Sequence, residues 1–450
     1  MILLIIVISI FKFNRILFIN YLEINKKYLN ISLNLNYSFH SKIINKIKIG
    51  TFSYYLENGG RSRIISFLFN NLYKIKIFNL YFFTIKIKND NEYLIKENIN
   101  RILIKNTTIN NLIKNILKKK INIFIYQLSY NDEIQKLNKL KNIRIIYYQH
   151  QSIFFWIYAN YTSFKYLYKA YKESKYTISL IHFENDYIFE KWGIKSILMN
   201  NFVTYEYNST FPLDLIPKVI LMIGRADNKY KRFELGIQAM EYIIKEVSES
   251  EMRIITNITN IFYLKSIINN LSLGNKVKFY EYSPIPEKYF KNVSLNIITS
   301  ISESFCLVLS ETKIYGIPNI LIGLDYISIS NGGTVIIYDD SPEYIAKESI
   351  KILIYDEYRL KLGKEARRNI RVFKNEILLQ KWIKLIISIY HGNYYYEKLR
   401  KLDKKISEIK ALNLLKNQIS FLKKRKKGLN NITLNNIENL TFMENINYKS

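Results

Sequence analysis

The stretch from Leu295 to Gly323 constrains the fold more than any other part of the chain. Leu295–Ile298 is a short apolar run that reads as a buried strand, and Asn319-Ile320-Leu321-Ile322-Gly323 reads as another. Between them, Phe305 to Tyr315 is long enough for about three helical turns. Gly316 suits a left-handed helix end, and Pro318 stops the helix continuing. The unit is strand, loop, helix, strand, the building block of an α/β fold with a parallel sheet. Its loop puts Glu303 at the carboxyl end of a strand, where open α/β sheets bind ligands. Glu311 stands about two turns into the helix, roughly 9–11 Å along its axis. The helix amino terminus between the two carboxylates offers free N–H groups that suit a phosphate. Carboxylate, phosphate, carboxylate is a footprint for a sugar nucleotide. Taken alone, the same residues also read as a solvated loop glutamate and a half-buried helical one.

The rest of the chain repeats the pattern. Residues 47–53 read as an opening strand, followed by the tight loop Glu57-Asn58-Gly59-Gly60. From Arg61 to Leu72, apolar residues at 64, 65, 68, 69 and 72 keep a helical period. Further strands are expected at 74–85, 121–127, 143–148, 178–181 and 196–199, with helices at 109–118, 165–175 and 185–192. The strand at 143–148 runs out into Tyr148-Gln149-His150-Gln151, which places His150 at a ligand crevice as a group able to exchange a proton near neutrality. Phe154, Phe155, Trp156 and Tyr158 follow; they suit core packing, or contact with an apolar acceptor or membrane.

Pro212 and Pro217 mark a hinge. Beyond it, Val219–Ile223 reads as a strand and Gly224-Arg225-Ala226-Asp227-Asn228-Lys229-Tyr230-Lys231-Arg232 as a basic loop, with a helix at 233–247. Cations at the end of a central strand suit a diphosphate clamp, Arg as a planar fork and Lys as a point charge. Strands at 252–256, 277–282 and 335–338 and helices at 262–271, 342–354, 357–371 and 376–390 complete this half. Asp339 and Asp340 bring no visible metal-ligand cluster with them.

The Glu303-to-Glu311 stretch resembles the E-x7-E signature of the family-4 type, or group 1, retaining glycosyltransferases of the GT-B fold. The Gly59-Gly60 loop and the Gly224-Arg225 loop resemble that family's other motifs, in the expected order. The resemblance covers roughly three quarters of the chain. It implies two Rossmann-like domains with parallel sheets facing across a cleft. The corresponding expectation is an N-terminal extension at 1–45, an N-terminal acceptor domain at 46–205, a hinge at 206–217 and a nucleotide-sugar domain at 218–375. A terminal helix at 376–392 would cross back, leaving a basic helical tail at 393–450. The implied activity is retaining transfer from a nucleotide-diphosphate sugar to a glycan or lipid-linked acceptor, as in polysaccharide biosynthesis, with no metal or other cofactor. In this reading Glu303 and His150 are the catalytic residues. Arg225 and Lys231 hold the diphosphate, Glu311 holds the ribose, and Glu303 with Ser304, Phe305, Cys306 and Leu307 holds the donor sugar. Gly59 and Gly60 contribute from the other domain.

Two departures stand out. The family pattern E-G-F-G-L is here Glu303-Ser304-Phe305-Cys306-Leu307, so both glycines are replaced. The basic loop is one residue longer than the family spacing if Lys231 is the matching lysine, which leaves Lys229 as competitor. A GT-B relative that binds nucleotide or glycan without turnover is therefore the alternative.

Charge adds one argument. The chain carries 67 Lys and Arg against 37 Asp and Glu, a net charge of +30. That fits an anionic partner: nucleotide sugar, anionic membrane or nucleic acid. No nucleic-acid-binding module is recognisable, so a basic nucleic-acid-binding protein is the more distant alternative and no nucleic acid is expected. Enrichment in Lys, Asn, Ile and Tyr also matches AT-rich coding. Cys306 is the single cysteine, which excludes an intramolecular disulfide framework and fits a reducing, cytoplasmic setting or the cytoplasmic face of a membrane. Residues 1–11 are apolar but shorter than the roughly 20 needed to span a bilayer. They read as an anchor segment, a membrane-surface contact or a buried strand, without a cleaved signal.

Overall fold

The computed structural model describes residues 46–392, apart from 57–58, 86–91, 106–107, 129–130, 160, 205–217, 227–229 and 284–286. The expected extension, hinge and basic tail, and Lys229, lie outside the described residues. The chain forms two compact units. Of the smaller, residues 1–47 with 76–78, only 46–47 and 76–78 are described; in it the Ile47 N–H donates to the Ile77 carbonyl at 2.8 Å. The larger, 48–75 with 79–450, holds the candidate site.

A first sheet of seven strands is ordered β3-β2-β1-β4-β5-β6-β7. Its strands are β1 (Ile47–Phe52), β2 (Phe78–Thr84), β3 (Asn100–Leu103), β4 (Ile123–Tyr126), β5 (Arg144–Tyr148), β6 (Tyr176–Ser179) and β7 (Ile197–Leu198). Six helices accompany it among the described residues: α1 (Gly60–Leu72), α2 (Ile109–Lys118), α3 (Asn131–Asn138), α4 (Ile153–Ala159), α5 (Tyr161–Glu173) and α6 (His182–Trp192). The second sheet has six strands, all paired in parallel, in the order β10-β9-β8-β11-β12-β13. They are β8 (Val219–Ile223), β9 (Glu251–Thr256), β10 (Val277–Glu281), β11 (Leu295–Ile298), β12 (Asn319–Ile322) and β13 (Thr334–Ile337). With it come α7 (Phe233–Glu246), α8 (Phe262–Asn270), α9 (Glu287–Phe290), α10 (Leu307–Ile314), α11 (Pro342–Ile354), α12 (Asp356–Ile370) and α13 (Asn375–His391).

Both sheets are doubly wound, and the physical reason is visible in the strands. β8 reads Val-Ile-Leu-Met-Ile and is buried along its whole length, as a parallel strand covered on both faces must be. Each such buried aliphatic side chain contributes about 1.5–3 kcal/mol. Helix α7 lies close on this strand because position 236 is glycine: a Cβ there would stand 2.4 Å from Met222 Sδ. Helix α11 starts where Ser341 accepts from the Tyr344 N–H at 3.3 Å and Pro342 takes the first helical position. The strand order reverses between β1 and β4 and again between β8 and β11. Those switch points are where a doubly wound sheet opens a crevice at its strand carboxyl ends.

Helix α13 packs against the first half of the chain. Its buried Trp382 meets the Tyr148 ring of β5 edge-on at 5.2 Å. Asn375 accepts from the Val203 N–H at 2.9 Å and donates to the Val203 carbonyl at 2.5 Å.

Several elements differ from expectation. Strand β2 starts at Phe78, not at 74, and β6 covers Tyr176–Ser179 rather than 178–181. Strand β3 and helices α3 and α4 were not anticipated. Strand β3 is short and only half buried, and α3 is mostly polar, so neither shows a clear hydrophobic period.

Candidate functional site

The basic loop and the signature loop are bound together. The Ile301 N–H donates to the Tyr230 carbonyl at 2.8 Å, and Thr299 Oγ1 donates to the Lys231 carbonyl at 2.5 Å. Arg232, in a left-handed conformation, donates Nε to the Thr299 carbonyl at 2.9 Å and Nη1 to Asp340 at 2.7 Å. Arg232 is therefore a buried strut rather than a solvated turn, and Asp340 answers it. The result is to aim Lys231 inward. Its amine pairs with Glu303, and its methylenes run so close to Gly224 that a Cβ there would meet them at 3.3 Å. Burial works against the Lys231 ammonium, but the charge and hydrogen bond of Glu303 more than offset it, and the amine is held above its usual value. Arg225 stands exposed at the mouth of the same loop.

Glu303 is further fixed by its N–H, which donates to the Tyr326 hydroxyl at 3.2 Å. Tyr326 is clasped from the first half of the chain by Phe154 at 4.8 Å and Phe183 at 5.7 Å. Phe155 meets Tyr230 at 4.7 Å. The aromatic run after His150 thus packs against the two donor-side loops.

Helix α10 begins at Leu307, two residues later than expected, because Cys306 adopts φ 60°, ψ 84°. That is a glycine's conformation, held here by a cysteine at a cost of about 1–2 kcal/mol. No side-chain hydrogen bond caps the helix in the usual way, although the Cys306 sulfur faces the Leu309 N–H in its first turn. The Cys306 thiol is buried, and burial with Glu303 nearby pushes its ionisation up, so it stays a thiol. Phe305 is buried against Phe373. We expect Cys306→Gly to change stability by less than about 1 kcal/mol, relief of the backbone offsetting the lost packing. Cys306→Val should lose about 2 kcal/mol or more, because a branched side chain resists positive φ. Thermal melts of the two variants check this.

Across the cleft, Gly59 is the N-cap of α1 and Gly60 its first residue. A Cβ on Gly60 would stand 3.1 Å from Leu307 Cδ1, so the glycine permits α1 and α10 to meet end to end. Ser304 Oγ donates to the His150 carbonyl at 2.7 Å. The His150 ring is buried over Tyr148 at 4.1 Å, and its Nε2 makes no hydrogen bond among the described residues. Burial, and then the charge of Arg61, push its pKa down to about 3. The imidazole is neutral near pH 7 and offers a hydrogen bond rather than a proton, which corrects the expectation of exchange near neutrality. The loop behind it is pinned by Glu184, which accepts from the Ile153 N–H at 3.0 Å and from Ser152.

Glu311 is buried on α10 and takes an ion pair from Arg63 on α1. Nearby, the Tyr93 and Tyr282 hydroxyls share a hydrogen bond of 2.5 Å, which ties the loop after β10 to the first half of the chain.

Residues 208–369 match the family model described as Glycosyl transferases group 1. A comparison with curated proteins finds no match. Among solved structures, the chain is similar to sucrose-phosphate synthase from Thermosynechococcus elongatus, with TM-score 0.64 and 15% identity over 77% of this chain and 100% of that one. It is similar to Anabaena HepE, solved in complex with UDP and glucose, with TM-score 0.60 and 12% identity over 76% of this chain and 100% of that one. It is also similar to a glycosyltransferase from Rickettsia africae, with TM-score 0.58 and 16% identity over 77% of this chain and 100% of that one. The fold is GT-B. The group 1 match falls on the second sheet, and includes Arg225, Lys231, Glu303 and Glu311.

Within the GT-B frame, the structure brings together Lys231 with Glu303, Ser304 with His150, and Gly60 with Leu307. It gives Glu311 a partner that sequence reading did not foresee. One signal for Arg63 was present: Arg61 and Arg63 occupy the first turn of α1, where the helix dipole disfavours cations, and no acidic residue accompanies them. Among the described residues, no group of three or more His, Cys, Asp or Glu could hold a metal ion. None of the described helices is long and apolar enough to cross a membrane.

Proposed function

We propose that the protein is a retaining glycosyltransferase that moves a sugar from a nucleotide-diphosphate sugar to a glycan or lipid-linked acceptor without a metal. The observation that carries this reading is the convergence of Lys231, Glu303 and the start of α10 at the β8–β11 switch point, inside the region that matches group 1 glycosyltransferases. Arg225 and Lys231 would hold the diphosphate and stabilise the charge that grows on it as the sugar leaves. Glu311 would hold the ribose hydroxyls, and Glu303 the donor sugar. His150, neutral and with Nε2 free to hydrogen-bond, would orient a sugar hydroxyl from the other side. HepE, similar in fold, was solved with UDP and glucose, so UDP-glucose is the first donor to try. Peripheral contact with an anionic membrane at its cytoplasmic face belongs to the same proposal.

Incubation with UDP-glucose and other nucleotide sugars, with the product anomer read by nuclear magnetic resonance, tests it. Release of a sugar or glycoside with the donor's anomeric configuration is the expected result; an inverted product removes the retaining mechanism. Ser304 and Cys306 in place of glycine favour the second reading, a GT-B protein that binds nucleotide without turnover, and this assay separates the two.

A further inference from the structure

Helix α10 carries a buried cation that the donor-site reading leaves unused. Lys313 is 0% exposed. Two residues on from Glu311, it stands about 200° around the helix, on the opposite face. Its amine donates to the Ile329 carbonyl at 2.5 Å, to the Asn331 carbonyl at 2.6 Å and to Asn369 Oδ1 on α12 at 3.1 Å. Three acceptors meet the three N–H groups of an ammonium, and none of them is a carboxylate. Burial pushes the Lys313 pKa down to about 7, the mark of an ammonium desolvated without a counter-ion. A methionine would fill the same space without that penalty.

What the amine holds is the loop between β12 and β13. The Ser330 hydroxyl donates to the Asp325 carbonyl at 2.9 Å and the Ser330 N–H to the Ile327 carbonyl at 3.0 Å, so the loop is braced from one side to the other. One side, at 329 and 331, rests on Lys313. The other carries Tyr326, whose hydroxyl accepts from the Glu303 N–H at 3.2 Å. The exit of the loop is seated on α12, the helix of Asn369: a Cβ on Gly333 would stand 2.5 Å from the Leu362 carbonyl oxygen. We propose that Lys313 is a positioning residue of the donor site, setting the Tyr326 loop and, through it, the Glu303 backbone. The inference rests on the donor-site reading above and adds to it a residue buried behind the site. Phe154 and Phe183 hold the Tyr326 ring from the other side, so loss of Lys313 loosens the loop without releasing it. Misplacement by about 1 Å can lower a rate about 10²-fold, and a loosened loop falls short of that.

The test compares Lys313→Met with wild type in the full chain, by amide hydrogen exchange and by turnover of the nucleotide sugar. Exchange should quicken about fivefold or more in peptides covering 300–306 and 324–331, and keep its wild-type rate in those covering β9. Turnover should fall about tenfold, while the Kd of the matching nucleoside diphosphate stays within about twofold, because Arg225 and Glu311 are untouched. Tyr326→Phe removes the hydroxyl that meets the Glu303 N–H and should also slow turnover. The double variant should be no slower than the slower single one, since both changes act through one bond. Asn369→Ala takes away one acceptor of three and places a milder demand on folding; the same peptides should exchange faster in it, by less. Unchanged exchange at 300–306 in both Lys313→Met and Asn369→Ala, beside an active wild type, overturns the positioning role alone. Multiplying effects in the double variant, or nucleotide affinity lost in step with turnover, also overturn it. A wild type that turns over no nucleotide sugar removes the donor-site reading, and this role with it.

Discussion

Lys231→Met is expected to lower donor turnover by about 10²–10³-fold while nucleotide binding weakens far less. The split follows from where the charge is needed. The Lys231 amine is held by Glu303 inside the loop pair that Ile301, Thr299 and Arg232 lock together. A fixed cation of this kind matters most when the sugar–phosphate bond breaks and negative charge accumulates on the leaving diphosphate. Arg225, exposed at the loop mouth, would still hold the ground-state phosphates in the variant. The substitution also strands Glu303, so Glu303→Gln in the same background should recover stability without recovering rate. Steady-state rates with the donor, beside nucleotide titrations of the same preparations, give both numbers. A Lys231→Met enzyme at near wild-type rate would point to a cation other than Lys231 at the leaving group.

Glu184→Gln should change how stability depends on pH. Glu184 is buried, and burial pushes its pKa from 4.5 up to about 8, against the opposing pull of the Ile153 N–H and Ser152. The folded chain therefore keeps a proton that the unfolded chain has released across that window. Its contribution to stability is fully present below 4.5 and is lost as pH rises through 8. The slope is up to about 1.4 kcal/mol per pH unit, and the accumulated cost is on the order of a few kcal/mol. Glutamine keeps an oxygen for the Ile153 N–H and never ionises, so the variant should match wild type below 4.5 and exceed it increasingly as pH rises toward 8. Urea unfolding across that range is the measurement, and parallel curves would show that Glu184 ionises in the folded protein much as it does in water. Because Glu184 pins the start of α4, the loop that presents His150 should also hold its shape over a wider pH range in the variant.

Much of this site was legible in the sequence, for physical reasons. The strands of the second sheet are continuous apolar runs because helices cover both faces, and a run such as Val219–Ile223 has few other uses. Glu303 and Glu311 were placed by their distance from such strands. What escaped was everything decided by packing between distant segments. Cys306 gives no local sign that it will adopt a left-handed conformation, and α10 consequently starts late. Arg63 and Glu311 stand 248 residues apart, and no local period links them. The proton affinity of His150 follows from burial and from Arg61, neither of which spacing around the histidine reveals. The two arginines in the first turn of α1 were the readable anomaly, since a helix start rarely takes cations without a partner elsewhere.

The nucleotide site is tested most directly by titration of UDP, GDP and ADP into the wild-type protein, Glu311→Ala and Arg225→Ala. One nucleotide is expected to bind the wild type, and both variants to bind it at least about tenfold more weakly, each having lost a hydrogen-bonded or charged contact to it. Binding of no nucleotide at millimolar concentration, or binding that ignores both substitutions, would contradict the assignment of that site.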